Sequence, residues 1–225
     1  ERAAPVLHTL VPLLDDPLRA VRAETGRVLS RLPQQLTSEL LSGNQRRKLD
    51  QAIDEYIDAT LQANDRGGAH LELGTLYEAL GRDADAEAAY RTAIRVEPRI
   101  AGPRSNLAGL LERTCERAMA SAPDRGPSVQ VLGMQEEVKQ LRREELDLLA
   151  RDARLVPEEG LIQYRYGLAL YQNGMLDQAE QALRTACRLE PDNDQFLFFL
   201  AVFLDNYQRY EEALEAVGRA VQLRP

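Results

Sequence analysis

Two thiols, Cys115 and Cys187, and two imidazoles, His8 and His70, are the only Cys and His side chains in the sequence. A structural zinc site needs closely spaced Cys or His ligands, and a nucleophilic thiol needs a base beside it. The cysteines stand far apart, no CxxC occurs, and neither histidine is near a cysteine in sequence. Both thiols are therefore expected as reduced, small apolar side chains. Acidic pairs such as Glu136/Glu137 and Glu211/Glu212 fall on hydrophilic helix faces, whereas general-acid catalysis needs a buried, shifted carboxyl. No Gly-rich phosphate loop is present. The residues predict no enzyme, no metal and no cofactor in this chain.

Charge narrows the partner class. Lys and Arg total 28 against 36 Asp and Glu, a net charge of −8. Phosphate contacts need a basic face, so nucleic acid is a disfavoured partner. The only basic clusters, "NQRRK" at 44–48 and "KQLRR" at 139–143, read as solvated helix faces. No apolar run reaches the roughly 18 residues of a membrane span. The opening "ERAAPVLHTL" lacks both a Met and a signal-peptide pattern, so the chain reads as an excised piece of a longer protein. A protein or peptide remains as the expected partner.

The elements that would position such a contact are helices. Aromatics make up 5% of the chain, Trp is absent, and Ala, Leu, Glu and Arg dominate, a helix-favouring set. Prolines punctuate it: Pro157, Pro191 and Pro225 are spaced 34 and 34 apart, and Pro98 stands 59 before Pro157. Proline follows a helix because it cannot donate the next amide. Within the period, Gly74, Tyr77, Ala86, Tyr90 and Ala93 precede Pro98. Gly167, Leu170, Ala179, Leu183 and Ala186 take the same places before Pro191. Ala201, Leu204, Ala213, Val217 and Ala220 do so before Pro225. Small residues recur where two helices approach closely, and a 34-residue unit of two helices implies a stacked solenoid.

Strings such as "LELGTLYEALGRDADAEAAYRTAIRVEP" and "YRYGLALYQNGMLDQAEQALRTACRLEP" closely resemble tetratricopeptide (TPR) repeats. The resemblance implies an all-α, right-handed α-α superhelix over 67–225, with four repeats. The second repeat, 101–159, carries about 25 extra residues, close to seven helical turns. They read as a helical hairpin with Pro123, Gly126 and Pro127 at its tip. Val129, Val131, Leu132 and Met134 are more apolar than a loop tip requires, which makes 122–134 a candidate contact. Residues 1–33 resemble a HEAT repeat through "DDPLRAVRAETGRVL", where the resemblance gives Asp16 and Arg22 a structural role. Residues 34–66 read as a connecting helix, half a TPR-like unit.

In TPR proteins the first helix of each pair faces the concave surface, which here puts Asn106, Tyr164, Arg165, Phe198, Phe199 and Val202 on it. Asn106 and Arg165 match two places of the TPR carboxylate clamp, but Leu71, Thr75 and Leu161 occupy its others, so that clamp is not expected to work. In "QFLFFLAVFLDNY", Leu197, Leu200, Ala201 and Leu204 fill the inward stripe. That leaves Phe198, Phe199 and Val202 surplus to it, and surplus apolar surface marks a contact. The last repeat has no polar cap after it in this sequence, so either the native chain continues or this face packs against another molecule, with self-association through it a second expectation. "DEYIDATLQANDRGGAHLELG" resembles the C-terminal part of bacterial multihaem cytochrome c proteins, whose haems sit on upstream CxxCH motifs. That resemblance implies a docking portion of a periplasmic electron-transfer protein; without it the cytoplasm is expected.

Overall fold

The computed structural model describes residues 3–62, 65–121 and 126–223, and among them every regular element is helical. Pro123 and Pro225, used above as punctuation, lie outside the described residues. The chain divides into two compact units, Glu1–Leu110 and Leu111–Pro225.

In the first unit, α1 (Ala3–Leu10) leads through a 3₁₀ turn (Val11–Asp15) into α2 (Arg19–Leu29) and α3 (Gln34–Leu40). Next come α4 (Gly43–Leu61), α5 (Gly67–Ala79) and α6 (Asp83–Val96), then the start of α7 (Pro103–Ala120). Ser42 sets the start of α4: its hydroxyl accepts from the Gln45 amide, and the Gln45 side chain accepts from the Ser42 amide at 2.9 Å. That capping box satisfies two otherwise orphaned donors. The same helix buries Leu49, Ala52, Ile53 and Ile57 in a core with Leu7, Leu14, Leu29, Leu73 and Leu76.

Two devices hold α2 on α4. Gly26 lies against the α4 backbone, so that a Cβ there would sit 2.7 Å from the Ala52 carbonyl carbon. Arg22 grips both Glu55 carboxylate oxygens, at 3.0 and 2.9 Å, and donates to the Asp16 carbonyl at 2.8 Å. That guanidinium holds the Glu55 carboxyl below the usual carboxylate range. Arg22 thus ties α2 to α4, and the Asp16 carboxylate in turn accepts from the Leu18 amide. Lys48, in the first basic cluster, pairs with Asp15 at 2.6 Å. In the α5–α6 pair the bare face of Gly74 admits the fully buried Tyr90 ring, flanked by Ala86 and Ala93.

The second unit holds the end of α7, then α8 (Val129–Leu155), α9 (Gly160–Gln172), α10 (Leu176–Leu189), α11 (Asp194–Asn206) and α12 (Tyr210–Leu223). Ser128 caps α8 by accepting from the Val131 amide at 3.2 Å. Residues 129–134 are therefore helix, which corrects their reading as loop tip. Val131 is buried, with the Cys115 thiol facing its carbonyl, while Val129 and Leu132 are exposed. Of the expected tip, 122–125 lies outside the described residues. In the second basic cluster, Lys139 pairs with Glu136 and Arg142 with Glu112.

The α9–α10 and α11–α12 pairs are built alike. Gly167 admits Leu183, whose Cγ would lie 2.8 Å from an added Cβ. Both pairs turn through a left-handed residue, Gly174 (φ 74) in one and Gln208 (φ 60) in the other, which are 34 positions apart. Charges lock the two pairs together. Glu180 accepts from Arg184 at 2.8 Å and from Arg209 at 2.6 Å, while Arg184 also reaches Glu212 at 2.6 Å. Burial pushes the Glu180 carboxyl up, but the two arginines outweigh it and hold the group below its ordinary value.

Candidate functional site

The six residues expected to bind a partner are divided between the two units. Asn106 belongs to the first unit, where it and Thr75 lie beside the Tyr90 hydroxyl. That hydroxyl donates to Glu78. Burial, and then the Glu78 hydrogen bond, push the Tyr90 phenol well above its usual value. A neutral buried phenol of this kind is a packing group. In the same unit a groove of about 690 Å³ runs between α2, α4 and α5. Leu71 and Thr75 line it with Glu24, Arg27, Tyr56 and Glu72. Tyr56 donates to Glu72 at 3.1 Å, and the Arg27 guanidinium lies 6.0 Å from the Tyr56 ring centre, so its polar groups partner one another.

The other five lie in the second unit, and two of them need correction. Tyr164 is buried at 8% exposure. Its ring stacks on Phe196 at 4.5 Å and meets Phe199 edge-on at 5.9 Å. Phe199 is half-buried and also meets Tyr171, which touches Phe203 at 5.7 Å. The aromatic residues of α9 and α11 thus interlock as a ladder across the joint between repeats. Tyr164 and Phe199 are rungs of it, not free surface. Arg165 is exposed.

Phe198 and Val202 are on the surface, at 57% and 39% exposure. Val202 borders a groove of about 350 Å³ between α11 and α12, lined also by Ala201, Asp205, Tyr210, Ala213, Leu214 and Val217. On α12 the small residues Ala213, Ala216 and Ala220 are buried against α11. Tyr210, Leu214 and Val221 stand outward, with Val217 half-buried between them. Sequence reasoning missed this outer stripe. The signal was available: once the alanines are assigned inward, residues at 210, 214, 217 and 221 share another helical face.

The 34-residue translation relates this face to its counterpart one repeat earlier. Phe198 is the translate of Tyr164, which Phe196 and Phe199 of the next repeat cover. Val221 is the translate of Cys187, buried at 7%, yet Val221 is 64% exposed. Cys187 is so enclosed that burial pushes its thiol up to about 11, and both cysteines are free and buried. Among the described residues no group of His, Cys, Asp and Glu is placed to hold a metal ion, and no helix is long and apolar enough to cross a membrane.

The tetratricopeptide repeat family is matched over residues 45–104 and again over 170–225, together just over half of the chain. The chain carries tetratricopeptide repeats. The first match begins within α4, in the segment read as half a TPR-like unit. Among solved structures, the chain is similar to TTC0263, a thermophilic TPR protein of Thermus thermophilus. The identity is 21% and the TM-score 0.56, over 90% of this chain and 92% of that one. That likeness shows the fold: an all-α helical-repeat solenoid. Lower similarity extends to MamA 41-end from Desulfovibrio magneticus RS-1, at 14% identity and TM-score 0.45, over 90% and 94% of the two chains. YrrB, described as a TPR protein with an unusual peptide-binding site, aligns at 18% identity and TM-score 0.36, over 75% and 91%. No curated protein matches the chain.

Proposed function

We propose that the chain is a non-enzymatic protein-interaction scaffold whose contact face is the outer side of α11 and α12. One observation carries the reading: the apolar Phe198 and Val202 are exposed side by side on α11, at 57% and 39%. Stacked helix pairs create extended binding surfaces, and an apolar patch rimmed by polar groups marks a contact on such a surface. Asp205, Glu211 and Glu215 are exposed around this patch. Arg165, exposed on α9, and Asn106, beside Tyr90, remain candidates for separate polar contacts with a peptide.

The test is affinity capture with the wild-type chain and with Phe198→Ser and Val202→Asn variants, each checked by circular dichroism for intact helix. The reading predicts at least a tenfold loss of bound partner in both variants, since apolar anchors dominate such contacts. An unchanged partner set with an intact fold contradicts it. Phe199 is left unaltered because it packs between Tyr164 and Tyr171. Docking within a periplasmic multihaem cytochrome is a special case of this function. It stands on the sequence resemblance alone, and CxxCH motifs with a signal peptide upstream in the gene decide it.

A further inference from the structure

We infer that the groove between α10 and α12 is a second binding site, which seats one carboxylate of an acidic partner peptide between Arg188 and Arg219. It shares no residue with the Val202 groove and stands independently of the contact face proposed above.

Three helices of the second unit make its walls and floor. A cleft of about 410 Å³ lies over Leu197, Leu200 and Leu204 of α11, with α10 and α12 on either side. That volume falls in the range of small-ligand sites, about 300–1,000 Å³. On α12 the groove residues are Glu212, Glu215, Ala216 and Arg219. At about 100° per residue they lie across the helix from the stripe of Tyr210, Leu214 and Val221. Whatever covers that stripe, the groove keeps both walls and its floor.

Charge selects the occupant. Arg184, Arg209, Glu180 and Glu212 close a quartet of two cations and two anions between the last two helix pairs. Arg188 and Arg219 remain, with Glu215 the one acid left among the groove's lining residues. Arg188 donates to the Thr185 hydroxyl at 3.1 Å, and among the described residues neither guanidinium is paired with a carboxylate. Burial pushes the Cys187 thiol up while Arg219 pulls it down, which puts the Arg219 charge near Cys187 in the groove wall. The lining therefore carries one unbalanced positive charge, in a chain whose net charge is −8.

One carboxylate neutralises that excess and can accept from both guanidinium forks. A phosphomonoester, at about −1.5 to −2, would overshoot it and meet Glu215. The leucine floor keeps water from one side of the pair, which strengthens the attraction, and it receives an apolar side chain next to the acid. Packing does not require these charges. One period earlier the places of Arg184, Glu212, Glu215 and Arg219 hold Ala150, Gln178, Gln181 and Thr185, so the preceding repeat is built with no charge at any of the four.

Titration of the isotope-labelled chain with the capped peptide acetyl-Leu-Glu-Leu-amide at low salt, followed by two-dimensional NMR, tests this. The amide signals of Arg188 and Arg219 should shift and saturate with a Kd of about 1 mM. The Leu-Gln-Leu analogue should bind at least tenfold more weakly, because it loses a charge-assisted pair. Arg188→Gln and Arg219→Gln, both at exposed positions, should each weaken binding of the glutamate peptide at least tenfold, with unchanged circular dichroism. Arg151→Gln, at an exposed arginine on α8, should leave it unchanged. No shift at about 10 mM peptide, equal binding of the glutamine analogue, or indifference to Arg219→Gln each overturns the assignment. Inorganic phosphate binding as tightly as the peptide overturns it too, by making the groove a site for free anions.

Discussion

Phe196→Ala is expected to cost the second unit about 4 kcal/mol, within the range for emptying a buried aromatic site. Phe196 is almost fully enclosed and stacks on Tyr164. Its removal loses its own burial and uncovers the Tyr164 ring, so a cavity opens at the joint between the last two repeats. Phe198→Ala, two residues away on the same helix, should change stability by less than about 0.5 kcal/mol, because surface substitutions away from special features do little. Urea unfolding of the two variants beside the wild type checks both values. Equal losses would mean that the ladder between α9 and α11 is not formed.

Gly26→Ala is the second large effect. The added methyl carbon would lie 2.7 and 2.8 Å from backbone atoms of Ala52 and Ile53. Backbone cannot rotate aside as a side-chain tip can, so α2 must lift from α4 against the Arg22–Glu55 pair. Overpacking of this kind costs about 3 kcal/mol, offset by about 1 kcal/mol of better helix propensity. The net loss is then about 2 kcal/mol in the first unit. Gly133→Ala, where a methyl group meets nothing within 4 Å on α8, should instead gain several tenths of a kcal/mol. Thermal unfolding of the pair measures the contrast.

The helical-repeat fold was legible because its packing is periodic. Gly74 and Gly167 admit large neighbours at matching places, and alanines recur where helices touch, so the 34-residue spacing carries the architecture in the sequence itself. The contact face was legible only in part. Period gives a residue its place in the repeat, but exposure depends on what packs over it. Tyr164 and Phe198 occupy one place and differ through what lies over them. Phe199 looked surplus because α11 alone offers no reason to bury it; Tyr164 and Tyr171, on α9, supply that reason. The α12 stripe was hidden differently, since four apolar residues beside an alanine face look like ordinary packing until the alanines are seen to suffice. The N-terminal contact at Gly26 depends on the register between α2 and α4, which no repeat period specifies.

The central claim is that α11 covers the Tyr164 face of α9, while Phe198, one repeat period later, is exposed on α11. Hydroxyl-radical footprinting at concentrations where the chain is monomeric tests it most directly, residue by residue. The account predicts strong oxidation at Phe198, Tyr210 and Leu214, with Tyr164, Phe196 and Cys187 protected in the same sample. Equal labelling of Tyr164 and Phe198 would contradict it.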